Sequence, residues 1–599
     1  MKKILSILTV GCALTLSSCE DWLDKYPLAQ MSPETFFSNE NELQAFSNTF
    51  YTIFPGDGLY NEGYDNIVKN EIAAEMRDGR TIPASGGGWT WTDLRKFNTL
   101  LEYSGNCKDT DIRNRYDAVA RFFRAYFYFE KVKRFGDVPW YEVQLGSADE
   151  ALYKPRDSRE LIMTNMIKDI DEAINSGGLT EDISTYRVNK WAALALKARF
   201  CLFEGTYRKY HGINLEGHDY TYYLEEAAKA AKTIIDEGPY KLYSTKTPDK
   251  DYMMLFAQEN ASTEEYILAI RNSYEAQVYH NATAYTLLPT QGRPGYTRKF
   301  INMYLMKDGK AFTDKFKTEW QTMPFTEEVK DRDPRLAQSI RTPGYKRIGA
   351  KRVQGPDLGV TITGYQPIKF VQDTTASGGQ IDRNDRSTCD MPVFRYAEVL
   401  LNYAEAKAEL GTLTQNDLVI TVNEIRSRVG MRGLDMNEAN KNIDWYLESK
   451  EYGYPNVTGA NKGVILEIRR ERAVELIQEG FRLQDLYRWK AGYCIDQAIS
   501  GMYFPGPGEY KLAGKETADL ILYKAGETKP QAGEGVSVYE LGSDIILSEG
   551  DKGYVYYHKT VLRTSFNEER DYLYPIPSGE RSLNPNLTQN PGWSDGLDF

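Results

Sequence analysis

The sequence predicts a mainly α fold in which paired amphipathic helices form a scaffold, with a large loop-rich region and little β-structure. Three observations point there. Apolar residues recur at helical spacing in two separate stretches, Glu40 to Asp236 and Val393 to Trp489. Between them, from Ser244 to Met391, the periodicity fades and aromatic residues sit among Gly, Pro, Asn and Thr. Two successive helical segments also carry facing small residues: Ala192, Ala193, Ala195 and Ala198 on one, Ala227, Ala228 and Ala231 on the next. Such faces let helix axes approach closely.

The first element is a leader. Met1-Lys2-Lys3 precedes Ile4 to Leu16, a run of 13 mostly apolar residues. That length suits a signal-peptide core and is too short to span about 30 Å of hydrocarbon. Leu16-Ser17-Ser18-Cys19 resembles the bacterial lipobox. The resemblance implies cleavage before Cys19, diacylation of its thiol and acylation of the new amine, and two or more acyl chains hold a protein stably on a membrane. The alternative is an ordinary secretory signal with a chance cysteine. We read residues 1–18 as signal peptide, 19–38 as a lipidated tether beginning Glu20-Asp21, 39–243 as an N-terminal helical region and 244–599 as a C-terminal region, loop-rich with returning helices.

Within the N-terminal region, Arg113 to Phe135 carries a stripe (Val119, Phe122, Phe123, Tyr126, Phe127, Phe129, Val132) too wide for a surface helix, and Gly136-Asp137 ends it before Pro139. Amphipathic helices follow over Asp157 to Ile174, Asn189 to Glu204 and Tyr222 to Asp236. They look like tetratricopeptide units without a strict consensus repeat. In the C-terminal region the pattern predicts helices over Val393 to Leu410, Asn416 to Val429 and Val464 to Trp489. Residues 495 to 570 are Gly-rich, with Tyr554-Val555-Tyr556-Tyr557 the best strand candidate.

Composition narrows the function. Mean hydropathy is -0.55 with 41% hydrophobic residues, and no later segment is apolar enough to cross a bilayer. Losing Lys2 and Lys3 with the leader moves the net charge from -12 to -14, which argues against nucleic acid as a partner. Cys107, Cys201, Cys389 and Cys494 form no CxxC pair and read as buried thiols or at most one or two disulfides. His211, His218, His280 and His558 lack metal-ligand spacing. No cofactor is called for. The Gly56-Asp57-Gly58 and Asp308-Gly309 turns make no EF-hand loop, although a structural calcium ion stays open. The anomaly is aromatic content, 13% with 43 tyrosines. Tyr and Trp join an apolar face to a polar tip and suit wet binding surfaces.

Three islands resemble the SusD/RagB family of surface lipoproteins. The first runs from Ala120-Arg121-Phe122 through Tyr126-Phe127-Tyr128-Phe129 to Phe135-Gly136-Asp137-Val138-Pro139. The second is Arg395-Tyr396-Ala397-Glu398 to Ala406, then Arg469-Arg470-Glu471-Arg472 and Glu479-Gly480-Phe481-Arg482 to Arg488-Trp489. The third is Tyr574-Pro575-Ile576-Pro577 with the Asn584 to Trp593 tail. The resemblance implies a SusD-like fold with four tetratricopeptide-like pairs on one side, packed against a SusC-like TonB-dependent transporter in the cell outer membrane. Its loop-rich remainder faces a nutrient, usually a glycan, outside the cell. Arg121, Arg395, Arg470 and Arg482 lie in helices rich in acids such as Glu405, Glu475 and Glu479. We read them as register-setting ion pairs.

Binding a glycan requires flat aromatic faces and planar polar groups, with no metal or nucleophile. The candidates are Trp89 and Trp91 on the Gly86-Gly87-Gly88 loop with Asp78 before them; Tyr279, Asn281, Tyr285, Arg293 and Tyr296 in an irregular segment; and Trp320. Trp91 is the better core candidate of its pair, because Leu94 and Phe97 follow at helical spacing. Trp89 and at least one of Tyr279, Tyr285, Tyr296 and Trp320 are expected on one exposed concave face. The reading is a non-enzymatic surface protein that captures a glycan for a partner transporter. A peptide-binding lid and a surface glycan hydrolase are the alternatives. Replacing Cys19 by Ala should leave a folded protein that no longer fractionates with membranes in cells lacking the transporter. Undiminished membrane association would mean that lipid is not the anchor.

Overall fold

The computed structural model describes residues 35–77, 79–555 and 565–597. The leader with Cys19, then Asp78, Tyr556, Tyr557 and His558, lie outside the described residues. The chain builds a helical scaffold first: α1 (Glu40–Asn48), α2 (Thr92–Tyr103), α3 (Thr110–Phe135), α4 (Arg159–Asn175), α5 (Lys190–His211) and α6 (Tyr220–Glu237). Side-chain caps fix several starts. Asp109, Ser158, Asn189 and Asp219 each accept hydrogen bonds from the first-turn amides of α3, α4, α5 and α6, which satisfies donors that the helix itself leaves unpaired.

The pairing follows the small-residue faces. Helix α5 packs along α6, α3 along α4, and α6 against a later helix, α7 (Tyr396–Glu409). At Gly205 in α5 a methyl group would lie 2.7 Å from the Leu224 side chain of α6, so only glycine permits this approach. The α3 stripe is buried as its width predicts, with Phe122, Phe123, Tyr128 and Phe129 each no more than 3% exposed.

Three expected helices are divided. Residues 391–395 form a fully buried strand, and the helix starts at Tyr396. Counting strands in chain order, β1 is Ile67–Val68, β2 is Tyr266–Ile270, β3 is Gly295–Tyr296 and β4 is Met391–Arg395. Strand β4 pairs antiparallel with β2, and β1 with β3. Phe394 and Arg395 pair with Leu268 and Tyr266 of β2, which takes the expected first residues of the helix into the strand. Asn416 to Val429 becomes α8 (Gln415–Val419) and α9 (Val422–Arg428), broken where Thr421 leaves helical geometry and its hydroxyl donates to the Asp417 carbonyl. Val464 to Trp489 becomes α10 (Lys462–Glu475) and α11 (Arg482–Arg488). The turn between them holds Gln478 at φ 59 and Gly480 at φ 81, and Glu62 caps it by accepting from Gly480 N at 2.7 Å. Short strands close the C-terminal region: β5 (Tyr503–Phe504), β6 (Gly508–Tyr510), β7 (Leu520–Tyr523), β8 (Ser537–Glu540) and β9 (Gly553–Tyr554). Tyr554 is therefore in a strand, as its sequence suggests.

A buried lattice of ions joins scaffold to loops. Arg395, at the end of β4, pairs with Glu475 at 2.8 Å, Glu479 at 2.7 Å and Glu265 at 2.9 Å. Glu475 also receives Arg428 at 2.6 Å and Arg335 at 3.1 Å. Each of these side chains is at most 2% exposed. Burial pushes the Glu475 carboxyl up, but Arg428, Arg395 and Arg335 overcome it and hold the group well below the usual carboxylate range. Arg482 pairs with Asp65 at 2.6 Å, Arg470 with Glu467 at 3.2 Å and with Asp444, and half-buried Arg121 with Asp169 at 2.9 Å. The partners Asp65 and Asp444 lie outside the family islands. All four described cysteines are buried and free, which corrects the allowance for disulfides: none of these thiols is paired. Replacing Glu475 by Gln leaves Arg395 and Arg428 buried with less counter-charge, and should lower the unfolding free energy by about 3–5 kcal/mol. Denaturant titration measures it, and a loss under about 1 kcal/mol would show the lattice to be dispensable.

Candidate ligand-binding face

Three loops meet at one surface. The first is residues 271–293, the second residues 375–386, the third residues 57–70. Asn281 and Asp385 lock the first two together: Asn281 Nδ2 donates to Asp385 Oδ1 at 2.7 Å and Asp385 N donates to Asn281 Oδ1 at 2.6 Å. Gln291 Nε2 donates to Asn384 Oδ1 at 2.8 Å. The third loop joins through Asn70 N, which donates to Gly292 O at 2.8 Å, and through Tyr60, whose hydroxyl accepts from Asn281 N at 3.1 Å. Lys69 reaches back to Asn61 Oδ1 at 2.7 Å.

On this frame sit two tyrosines. Tyr274 is 40% exposed and Tyr279 half-buried, their rings 6.3 Å apart at 55°. The Arg386 guanidinium lies 5.1 Å above the Tyr279 ring. Gly378 comes within van der Waals reach of Tyr274: a methyl group there would stand 3.1 Å from its hydroxyl. The face therefore offers aromatic surface flanked by an amide, a carboxylate and a guanidinium.

Backbone strain concentrates here. Gln277, Arg293, Ser377 and Asp385 all have φ between 51° and 56°. Left-handed geometry costs a side-chain-bearing residue of order 1 kcal/mol or more and persists only where the surroundings enforce it, a pattern typical of ligand sites. Beneath the face, burial pushes the His280 imidazole down to about 4. It is neutral at ordinary pH, its Nε2 bonded to the Cys389 carbonyl at 2.8 Å and its Nδ1 accepting from Ala282 N at 3.2 Å.

The structure distributes the sequence candidates. Tyr279 and Asn281 belong to this face. Tyr285 and Tyr296, in the same segment, are packing residues, 4% and 0% exposed. Their hydroxyls are used internally, Tyr285 donating to Glu62 O at 3.3 Å and Tyr296 to Gln478 Oε1 at 2.8 Å. Arg293 is half-buried and donates to the Leu358 carbonyl at 2.5 Å. Trp320 is 4% exposed among Tyr446 and Tyr452, in a separate region. Asp78 lies outside the described residues.

Trp89 and Trp91 border a different cleft of about 340 Å³. Its rim exposes Val143 (54%), Tyr153 (52%) and Leu583 (72%). The expected order of the pair is reversed. Trp89 is the core ring, 6% exposed and edge-on to Phe135 at 5.0 Å, whereas Trp91 is half-buried. The glycine loop explains it: Arg134 Nε donates to Gly87 O at 2.6 Å and Lys131 to Gly88 O, which draws the loop and Trp89 onto α3. Trp89 therefore shares no exposed face with Tyr279, Tyr285, Tyr296 or Trp320.

Sequence reasoning missed Tyr274, Asn384, Asp385, Arg386 and Lys69. The signal was present in the polar run Asp382-Arg383-Asn384-Asp385-Arg386 that follows Gly378-Gly379. Among the described residues no cluster of three His, Cys, Asp or Glu side chains could hold a metal ion.

Comparison with known proteins agrees with this architecture. The model of the SusD family matches residues 255–593, and a second, described as starch-binding and associating with the outer membrane, matches residues 84–194. Two SusD-like proteins of Formosa agariphila are each 24% identical to the chain, one over 518 residues (81% of this chain, 91% of the relative), the other over 522 (82% and 92%). Two Bacteroides fragilis crystal structures, a SusD-like protein and a SusD-like carbohydrate-binding protein, each superpose with a TM-score of 0.66 at 22% identity. They cover 95% and 93% of this chain and all of their own. That likeness shows the fold.

If Trp89 is a core residue, Trp89→Ala should cost about 3–5 kcal/mol of stability, read as a fall in melting temperature. A variant that melts within a few degrees of the parent would return Trp89 to the ligand-contacting set.

Proposed function

This chain belongs to the SusD family, and from that premise we propose that it captures a glycan at the loop face and delivers it, unaltered, to a partner barrel transporter of the SusC-like, TonB-dependent kind. In this reading a lipid on Cys19 tethers it to the outer membrane, facing the cell exterior. The paired helices form the side that meets the transporter. No cofactor is needed.

The observation that carries the proposal is the pairing of exposed Tyr274 with half-buried Tyr279 beside Asn281, Asp385 and Arg386. A pyranose presents apolar C–H faces to aromatic rings and hydroxyls to planar amide, carboxylate and guanidinium groups. Here both kinds of group are held in place by loops locked to each other, so little ordering entropy is lost on binding. Support also comes from the carbohydrate-binding Bacteroides fragilis protein of the same fold and from the starch-binding description of the second family model.

The hydrolase alternative requires two carboxylates across the scissile bond, about 5–9.5 Å apart. Asp385, the carboxylate flanking the tyrosines, is engaged by Asn281, which favours binding over acid–base chemistry. A peptide ligand would be expected to pair with backbone groups, and the planar polar side chains beside the rings favour hydroxyls.

Tyr274→Ala and Tyr279→Ala should each weaken retention in polysaccharide-containing native gels about tenfold, equivalent to about 1.4 kcal/mol, with melting temperatures within a few degrees of the parent. The polysaccharide should keep its chain length on overnight incubation. Retention unchanged in both variants would move the site elsewhere, and new reducing ends would make the protein an enzyme.

A further inference from the structure

A second cavity, lined by none of the residues that build the loop face, has the chemistry of a small ligand pocket. It encloses about 290 Å³ between Arg298, Asn302, Trp320, Tyr446, Tyr452 and Tyr554. That is at the lower end for ligand pockets and fits one ring rather than a chain.

Its walls are aromatic. Tyr446 and Tyr452 stack face to face, 4.4 Å apart at 4°, and Trp320 stands edge-on to both at 6.2 Å. Trp445 extends the cluster to solvent: it contacts both tyrosines at 5.7 and 6.4 Å and is 42% exposed. A tryptophan left in water at the end of a four-ring cluster forgoes substantial burial.

Its polar groups are unusual in a different way. Arg298 and Asn302 are each 2% exposed, yet Arg298 Nε and Asn302 Oδ1 have no hydrogen-bond partner. Their other atoms are used: Asn302 Nδ2 donates to the Tyr446 hydroxyl at 3.3 Å, and Arg298 Nη1 to the Tyr365 hydroxyl at 3.2 Å. A buried donor or acceptor left unpaired costs about 1–3 kcal/mol, and both of these belong to residues that line this one cavity. The Arg298 charge is met by Glu328 at 3.2 Å and that of the lining Lys299 by Asp65 at 3.1 Å, so neither cation is left to select an anion.

We propose that this cavity binds a single neutral sugar ring, stacked on the Tyr452 and Tyr554 side and hydrogen-bonded toward Arg298 and Asn302, independently of the loop face. From the proposed function it takes only the class of ligand.

The test is a panel of free monosaccharides (glucose, galactose, mannose, xylose, N-acetylglucosamine) titrated onto the full mature chain by ligand-observed NMR. Three variants accompany the parent: Tyr452→Ala removes the stacking face, Ala498→Trp fills the cavity from an exposed lining position, and Tyr279→Ala disables the loop face. Binding of at least one sugar in the millimolar range is expected. Tyr452→Ala and Ala498→Trp should each weaken it tenfold or more, and Tyr279→Ala should change it less than twofold. Absence of binding across the panel, or binding that survives Ala498→Trp, would overturn the proposal. Should Tyr452→Ala fail to fold, Ala498→Trp decides alone. Loss of polysaccharide retention in Tyr279→Ala with monosaccharide binding intact would uphold both sites. Monosaccharide binding sensitive to Ala498→Trp without any retention of polysaccharide would uphold the cavity and sink the loop face.

Discussion

Everything else in this fold is built around one buried carboxylate, Glu475, with three guanidiniums on it. The groups arrive from four directions: the end of α10, the end of β4, the end of α9 and the short helix Pro334–Ala337. Desolvating so many ions is expensive, and a hydrophobic cluster of equal volume would often be as stable. What the ions add is direction. Each guanidinium has a fixed fork that accepts a carboxylate in few geometries. A slip of one element past another would leave a charge alone in the core. The lattice thus sets where the loop-rich segment lies on the helical scaffold, a task that alanine-faced helix packing alone does not accomplish.

The loop face inherits that rigidity. Glu62 binds the α10–α11 turn and Asp65 binds Arg482, so the segment from residue 57 to 70 is fastened to the scaffold just before it reaches Gly292. Strained residues at 277, 293, 377 and 385 can then persist, because the geometry around them is imposed from below. A flexible loop would relax them. The two tyrosines accordingly sit on a frame that is locked at the surface by Asn281 and Asp385 and fastened underneath by buried Glu62 and Asp65.

Much of the scaffold was legible in the sequence because long helices announce themselves by period. The α3 stripe and the facing alanines of α5 and α6 followed from spacing and residue type, whereas of the three guanidiniums on Glu475 only Arg395 stood out and Arg335 and Arg428 did not. Breaks inside predicted helices were harder. At Gln478 and Thr421 nothing in the period changes, and the turn is imposed by a distant cap or a local hydroxyl. The site was legible only in part. Tyr279 and Asn281 stood out by composition, yet Tyr285 and Tyr296, equally aromatic and nearby, turned inward, since burial in an irregular segment depends on partners such as Gln478 that lie almost 200 residues away. Trp89 and Trp91 exchanged roles for a similar reason: Lys131 and Arg134, on a helix beyond the glycine loop, draw the first tryptophan down.

The contact between Glu62 and Gly480 joins residues 418 apart in sequence, and that between Asp65 and Arg482 spans 417. Contacts so remote are the slowest to form, because a long chain must close before they contribute anything. Helices α1 to α6 can pair as soon as they are made, whereas the segment carrying Tyr60 and Lys69 must wait for the last quarter of the polypeptide. The loop face is therefore a late product of folding, assembled only once the scaffold that fastens it is already standing.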